Sequence, residues 1–101
     1  MSQSVPLSPD EVKRKLRIIL DQGFVTYTDH CRWQSMPEGR VTTQDVEFLL
    51  EHGEISGDAE WSPEHGDWKY RIEGTDIEGE EWTAITVIIE EHLIARVITV
   101  F

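Results

Sequence analysis

Four chemically able side chains stand together in this chain: Asp29, His30, Cys31 and Arg32, directly after the strand-like run Phe24-Val25-Thr26-Tyr27. Imidazole exchanges protons near pH ~6.5, so His30 is a candidate general acid or base. A guanidinium can grip a phosphate through two parallel hydrogen bonds, which makes Arg32 and, further on, Arg40 candidate phosphate ligands. The competing reading of His30 is structural, a helix-start histidine that donates to a strand-end carbonyl and packs on Trp33. Cys31 does not complete a nucleophile–base pair with His30, because adjacent side chains rarely point together; a small buried thiol is expected instead. His30, His52, His65 and His92 lack ligand-like spacing and a single cysteine gives no CxxC, so neither a metal nor a cofactor is expected. Gly-rich phosphate loops, GxSxG and HExxH are also absent.

These groups need elements to hold them. Ser8-Pro9-Asp10-Glu11 opens a helix: Ser8 caps, Pro9 suits the first position and Glu11 completes a capping box. Val12, Leu16, Ile19 and Leu20 make its apolar stripe, and Gly23 ends it. Phe24 to Tyr27 reads as a short strand. Thr28 or Asp29 caps a brief helical turn through Trp33, which Met36-Pro37-Glu38-Gly39 is expected to break. Thr42, with Asp45 beyond it, opens a second helix whose apolar face is Val46, Leu49 and Leu50 and whose end is Gly53. The apolar period then changes to two, with extended pieces over 54–61, 68–72, 81–90 and 93–101 separated by turns at 62–66, 74–79 and 91–92. The expected architecture is α+β, two main helices packed on one face of an antiparallel β-meander. Residues 1–7 read as a flexible tail and 8–101 as a single domain.

The second chemical cluster depends on register. If Ile72 pairs with Glu81 across the turn at 74–79, Arg71 falls opposite Trp82 and Lys69 opposite Ala84. Lys69, Arg71, Trp82, Thr86 and Thr99 then share an open face, and the face carrying Ile85, Val87, Ile89, Ile94, Ile98 and Val100 shelters under the helices. Cations beside an aromatic and hydroxyls can hold an RNA backbone and stack a base. They can equally be long cationic side chains covering apolar surface. A slip of one residue exchanges the faces.

Twenty acidic against nine basic residues give a net charge of −11 over 101 residues. Such a field repels nucleic acid unless a local basic patch overrides it. No Lys or Arg lies between Arg40 and Lys69, while eight carboxylates do, from Asp45 to Asp67. That block is a solvated face or a docking surface for a basic protein. The absence of a long apolar run argues against a membrane span, and the lone cysteine and unpatterned N-terminus suit a cytoplasmic protein.

The order of parts resembles a family of small bacterial domains of unknown function grouped by fold with RelE-like and MqsR-like toxins. The matching pieces are Thr28-Asp29-His30, Val41-Thr42-Thr43-Gln44-Asp45-Val46, Glu51-His52-Gly53-Glu54-Ile55, Tyr70-Arg71-Ile72-Glu73-Gly74 and Ala95-Arg96-Val97-Ile98-Thr99-Val100. They span about residues 10 to 101. The resemblance implies a metal-independent endoribonuclease, or a degenerate relative of one, with a cognate antitoxin or other protein as partner. His30, Arg71 and Tyr70 would then be catalytic, and Arg32, Arg40, Lys69, Trp82 and Thr99 would hold substrate. Two alternatives stay open: a non-catalytic acidic protein-binding module, and a small-ligand pocket between sheet and helices.

Overall fold

Two reciprocal caps start the two long helices. In the computed structural model, which describes residues 5–101, Ser8 Oγ accepts the Glu11 N–H and the Glu11 carboxylate accepts the Ser8 N–H. Thr42 and Asp45 exchange the same pair of bonds. Helix α1 (Pro9–Gln22) buries Val12, Leu16 and Ile19. The short α2 (Met36–Gly39) comes next, then α3 (Thr43–His52), which buries Val46, Leu49 and Leu50. Each such side chain contributes about 1.5–3 kcal/mol by leaving water. They share one core with Tyr70, Ile72, Ala84, Ile88, Ala95 and Val97 of the sheet.

The strands are β1 (Phe24–Tyr27), β2 (Glu54–Ser62), β3 (Asp67–Thr75), β4 (Glu81–Ile89) and β5 (Ile94–Val100). They form one five-stranded sheet in the order β1-β5-β4-β3-β2. Strands β2 to β5 run as the expected meander, but β1 joins it parallel to β5, Val25 beside Ala95 and Tyr27 beside Val97. The sheet is therefore mixed, not purely antiparallel. The chain leaves α1 through Gly23 and is caught at once by β5's neighbour Leu93, whose carbonyl accepts the Phe24 N–H.

Two further expectations change. The β3–β4 register is displaced by three residues: Thr75, not Ile72, pairs with Glu81, so Arg71 faces Ile85 and Lys69 faces Val87. The cause is Gly74, a strand residue and not a turn residue. A Cβ on it would lie 3.0 Å from the Gly53 Cα and 3.0 Å from Leu49 Cδ1, so it is the point where α3's end presses on the sheet. The sheltered face is also the other one. Ala84, Thr86, Ile88, Ala95 and Val97 lie beneath the helices, because small residues there admit the helices closely, and Val100 joins them as expected; Ile85, Val87 and Ile89 are on the other face, where Val87 is nonetheless buried. The two changes cancel for Lys69 and Arg71, which stay on the open face, but Trp82 and Thr86 are removed from it.

Pro37 does not break the helical turn after β1. A wide π-helical turn, Cys31–Ser35, with the Met36 N–H bonding the Cys31 carbonyl, runs straight into α2. Proline then falls in α2's first turn, where its missing N–H is harmless. The first four residues of the expected tail lie outside the described residues. Leu7 is held, its N–H donating to the Tyr70 hydroxyl at 2.9 Å.

Candidate functional site

Two clamps set the position of His30. Thr28, just past β1, gives its N–H to the Val97 carbonyl and its hydroxyl to the Ile98 carbonyl. Ser35, at the end of the π-helical turn, accepts the Val100 N–H at 3.2 Å. The segment between is pinned along the end of β5, and His30 comes to rest against Thr99. The β4–β5 ladder has a bulge here, with Thr86 paired to Val97 but Ile85 to Thr99. A bulge turns a strand and re-aims its side chains, a common device beside functional sites.

The imidazole has a defined orientation. Its Nδ1 lies 2.9 Å from Gln34 Oε1 and its Nε2 3.5 Å from Thr99 Oγ1. Gln34 Oε1 only accepts, so Nδ1 is the donor in this contact, and in the tautomer that carries its single proton there Nε2 is the acceptor facing Thr99. A cleft of about 360 Å³ opens at this point, lined by His30, Ser35, Glu38, Trp82, Thr99 and Phe101 among others.

Trp82 is the wall of that cleft, and Asp76 holds it. The indole N–H donates to Asp76 Oδ2 at 2.9 Å, while Asp76 Oδ1 accepts the N–H groups of Glu78 and Glu80. Asp76 as a residue is only 8% exposed. The Trp82 indole first, then the backbone N–H groups, hold its pKa below the ordinary aspartate value against the opposing effect of burial. On the indole's other side sits Gly39, where a Cβ would approach Trp82 Cη2 to 2.7 Å. A second cleft of about 470 Å³ beyond Trp82 and Phe101 is lined by Glu54, Glu73 and Glu81.

Of the residues singled out in the sequence, His30, Trp82 and Thr99 meet in one cleft. Arg71 adjoins it: its guanidinium carbon sits 5.4 Å from the Phe101 ring centre, and its Nε bonds Glu73 at 2.8 Å. Arg71 and Thr99 both pair with Ile85, so they stand two strand spacings apart, about 10 Å. Lys69 lies one row further along the same open face, 3.8 Å from Glu60. Tyr70 is elsewhere, on the helix side of β3 and 3% exposed, its hydroxyl committed to Leu7 and its pKa raised by burial. Arg32 and Arg40 line a separate groove on the far side of the π-helical turn.

The sequence reading passed over Gln34, Ser35, Glu38, Asp76, Arg96 and Phe101. Arg96 shares a row with Lys69 through Val87, which pairs with both. Its alternation with Ala95 and Val97 carried that signal. Cys31 is fully buried and its thiol pKa is raised by desolvation, which makes it a poor nucleophile. Among the described residues no three His, Cys, Asp or Glu side chains gather as a metal site would need. No helix among them is long and apolar enough to cross a membrane. A family described as "Domain of unknown function (DUF4258)" matches residues 27–101. Neither a curated protein nor a solved structure matches the chain.

Proposed function

The chain belongs to the DUF4258 family, whose description assigns no activity, and from the cleft around His30 we propose that it is a RelE/MqsR-like toxin-fold domain that cleaves RNA in the cytosol. One observation carries this reading: His30, with Nε2 beside Thr99, lines a cleft walled by Trp82, and Arg71 lies next to it across Phe101. In the proposed reaction His30 Nε2 takes the proton of a ribose 2′-hydroxyl, and the 2′-oxygen attacks the adjacent phosphorus. The bond from phosphorus to the 5′-oxygen breaks and the proton passes to that oxygen. The products are a 2′,3′-cyclic phosphate and a 5′-hydroxyl end. Arg71 offsets the charge that grows on the phosphoryl oxygens. Trp82 and Phe101 supply faces for a base, worth about 1–3 kcal/mol per stacked base.

Arg71 is already paired with Glu73, yet both side chains are nearly half exposed, at 45% and 46%. An exposed pair is worth about 0–1 kcal/mol, less than a charge-assisted bond to phosphate at about 1.5–3 kcal/mol. Phosphate can displace Glu73. Lys69 and Arg96, on the same open face, give the strand of RNA further positive charge within a molecule of net charge −11.

Induced expression in a bacterial host tests the reading. The wild-type chain should arrest growth and degrade RNA, and H30A and R71A should each restore both. Undiminished arrest by the two variants contradicts the assignment. The acidic cleft beyond Trp82, lined by Glu54, Glu73 and Glu81, favours a second reading, a non-catalytic module that binds a basic protein segment, an antitoxin included. In that case the wild-type chain leaves growth and RNA intact and is recovered with a basic partner that E54Q/E81Q loses.

A further inference from the structure

We propose that the groove between β1, α2 and the start of α3 is a binding site for a small amphipathic carboxylate, separate from the His30 cleft. The inference does not rest on the ribonuclease reading. The groove encloses about 680 Å³, within the size range of small-molecule pockets. Its lining is mainly apolar: Val25 from β1, Met36 and Pro37 from α2, and Val41 beyond it. Such walls desolvate a hydrocarbon or aryl body and suit nothing that is charged throughout.

Two cations line this groove, Arg32 and Arg40, both exposed to solvent. Lys13, Lys15, Lys69 and Arg71 each have a carboxylate within ion-pair distance. Arg32 and Arg40 have none among the described residues, as is also true of Arg14, Arg17 and Arg96, but only these two line a largely apolar groove. A guanidinium fork matches a carboxylate in plane and spacing. Arg40 also holds a left-handed backbone, φ 58°, at the end of α2. Glycine takes that conformation without strain, whereas arginine there costs about 1 kcal/mol. An engaged side chain at this position gives the cost a return.

The third observation is Tyr27. It lines the groove, and its hydroxyl is shut off from solvent with no hydrogen-bond partner. A buried hydroxyl left unpaired costs about 1–3 kcal/mol. Burial raises the Tyr27 pKa, so the phenol stays neutral and able to donate. A carboxylate seated in the groove would pair with the two arginines, and the Tyr27 hydroxyl, closed to solvent as it stands, would join them by a turn of its ring toward the groove.

The test is an amide-resolved NMR titration of the full chain with three probes: decanoate, decanol and inorganic phosphate. Decanoate should saturate, moving the Tyr27, Arg40 and Thr43 signals, while decanol and phosphate bind at least about tenfold more weakly. Arg32→Gln should weaken decanoate about tenfold or more. Arg40→Gly should do the same while raising thermal stability, because it relaxes the positive φ; this separates lost recognition from lost folding. His30→Ala should bind decanoate as the wild type does. Absence of saturable shifts at these residues, equal binding of decanol, or full binding by Arg40→Gly would overturn the proposal. So would displacement of decanoate by a short RNA, which would assign the groove to a nucleic-acid track.

Discussion

Thr86 is the residue at which the fold carries an avoidable cost. It is fully buried, faces the helices, and its hydroxyl has no partner. Thr86→Val keeps the shape and removes the unpaired group, so it should stabilise the protein by about 1 kcal/mol, a rise in Tm of about 4–8 °C for a domain this size. Thermal melts of the two proteins check this. Asp76 gives a prediction of the opposite kind. Its folded pKa is depressed, chiefly by the Trp82 indole, so its contribution is complete above the unfolded carboxylate range. It is lost as pH falls below about 4 and through the lowered folded value. Urea midpoints should therefore show Asp76→Asn well below wild type at neutral pH, with the gap narrowing steadily as pH falls below about 4. A difference that persists undiminished in acid would contradict the role given to this carboxylate.

At the scale of elements, the helices were plain in the sequence because their signals are local. Ser8 with Glu11 and Thr42 with Asp45 are caps that act within one turn, and both form as read. Thr42→Ala should cost about 1 kcal/mol, measurable in the denaturant midpoint. Gly74 shows why the sheet was harder. In sequence a glycine at the end of a strand reads as the start of a turn, and nothing local says that Gly53, twenty-one positions earlier, will press against it. Gly74→Ala should destabilise by about 1–3 kcal/mol, since the nearest atom is backbone and cannot swing aside. A neutral effect would show that α3 and β3 are less tightly joined than the geometry requires. The face assignment failed for a related reason. Hydrophobicity favoured Ile85, Val87 and Ile89 as the inner set, but contact with two helices selected the smaller Ala84, Thr86 and Ala95. The site inherits both effects. His30, Thr99 and Trp82 were legible by residue type, whereas the clamps at Thr28 and Ser35 and the hold of Asp76 on Trp82 depend on tertiary placement. Tyr70 was misleading, because alternation put it beside Arg71 in sequence and therefore on the opposite face in space.

For the whole molecule the governing quantity is charge. With a net charge of −11, the chain repels itself and any polyanion at long range. Raising the salt from a few millimolar to physiological strength should therefore raise Tm, a trend that screening of isolated surface ion pairs alone would reverse. On the proposed ribonuclease reading, RNA is held at short range by Lys69, Arg71 and Arg96 on the open face. Three phosphate contacts predict that log K for single-stranded RNA falls with log salt at a slope of about −2. A slope near zero would remove the open face from the account. The proposed reaction itself has His30 activate a ribose hydroxyl in the cleft beside Thr99. It is tested most directly by incubating purified protein with a short RNA and with the same strand lacking the 2′-hydroxyl at the cleaved position. The account predicts a 2′,3′-cyclic phosphate product from the RNA alone, and with His30→Ala a rate lower by about 10²–10⁴-fold at unchanged fold by circular dichroism. Cleavage of the deoxy strand, equal cleavage by His30→Ala, or no cleavage of either strand by the wild-type protein would contradict it.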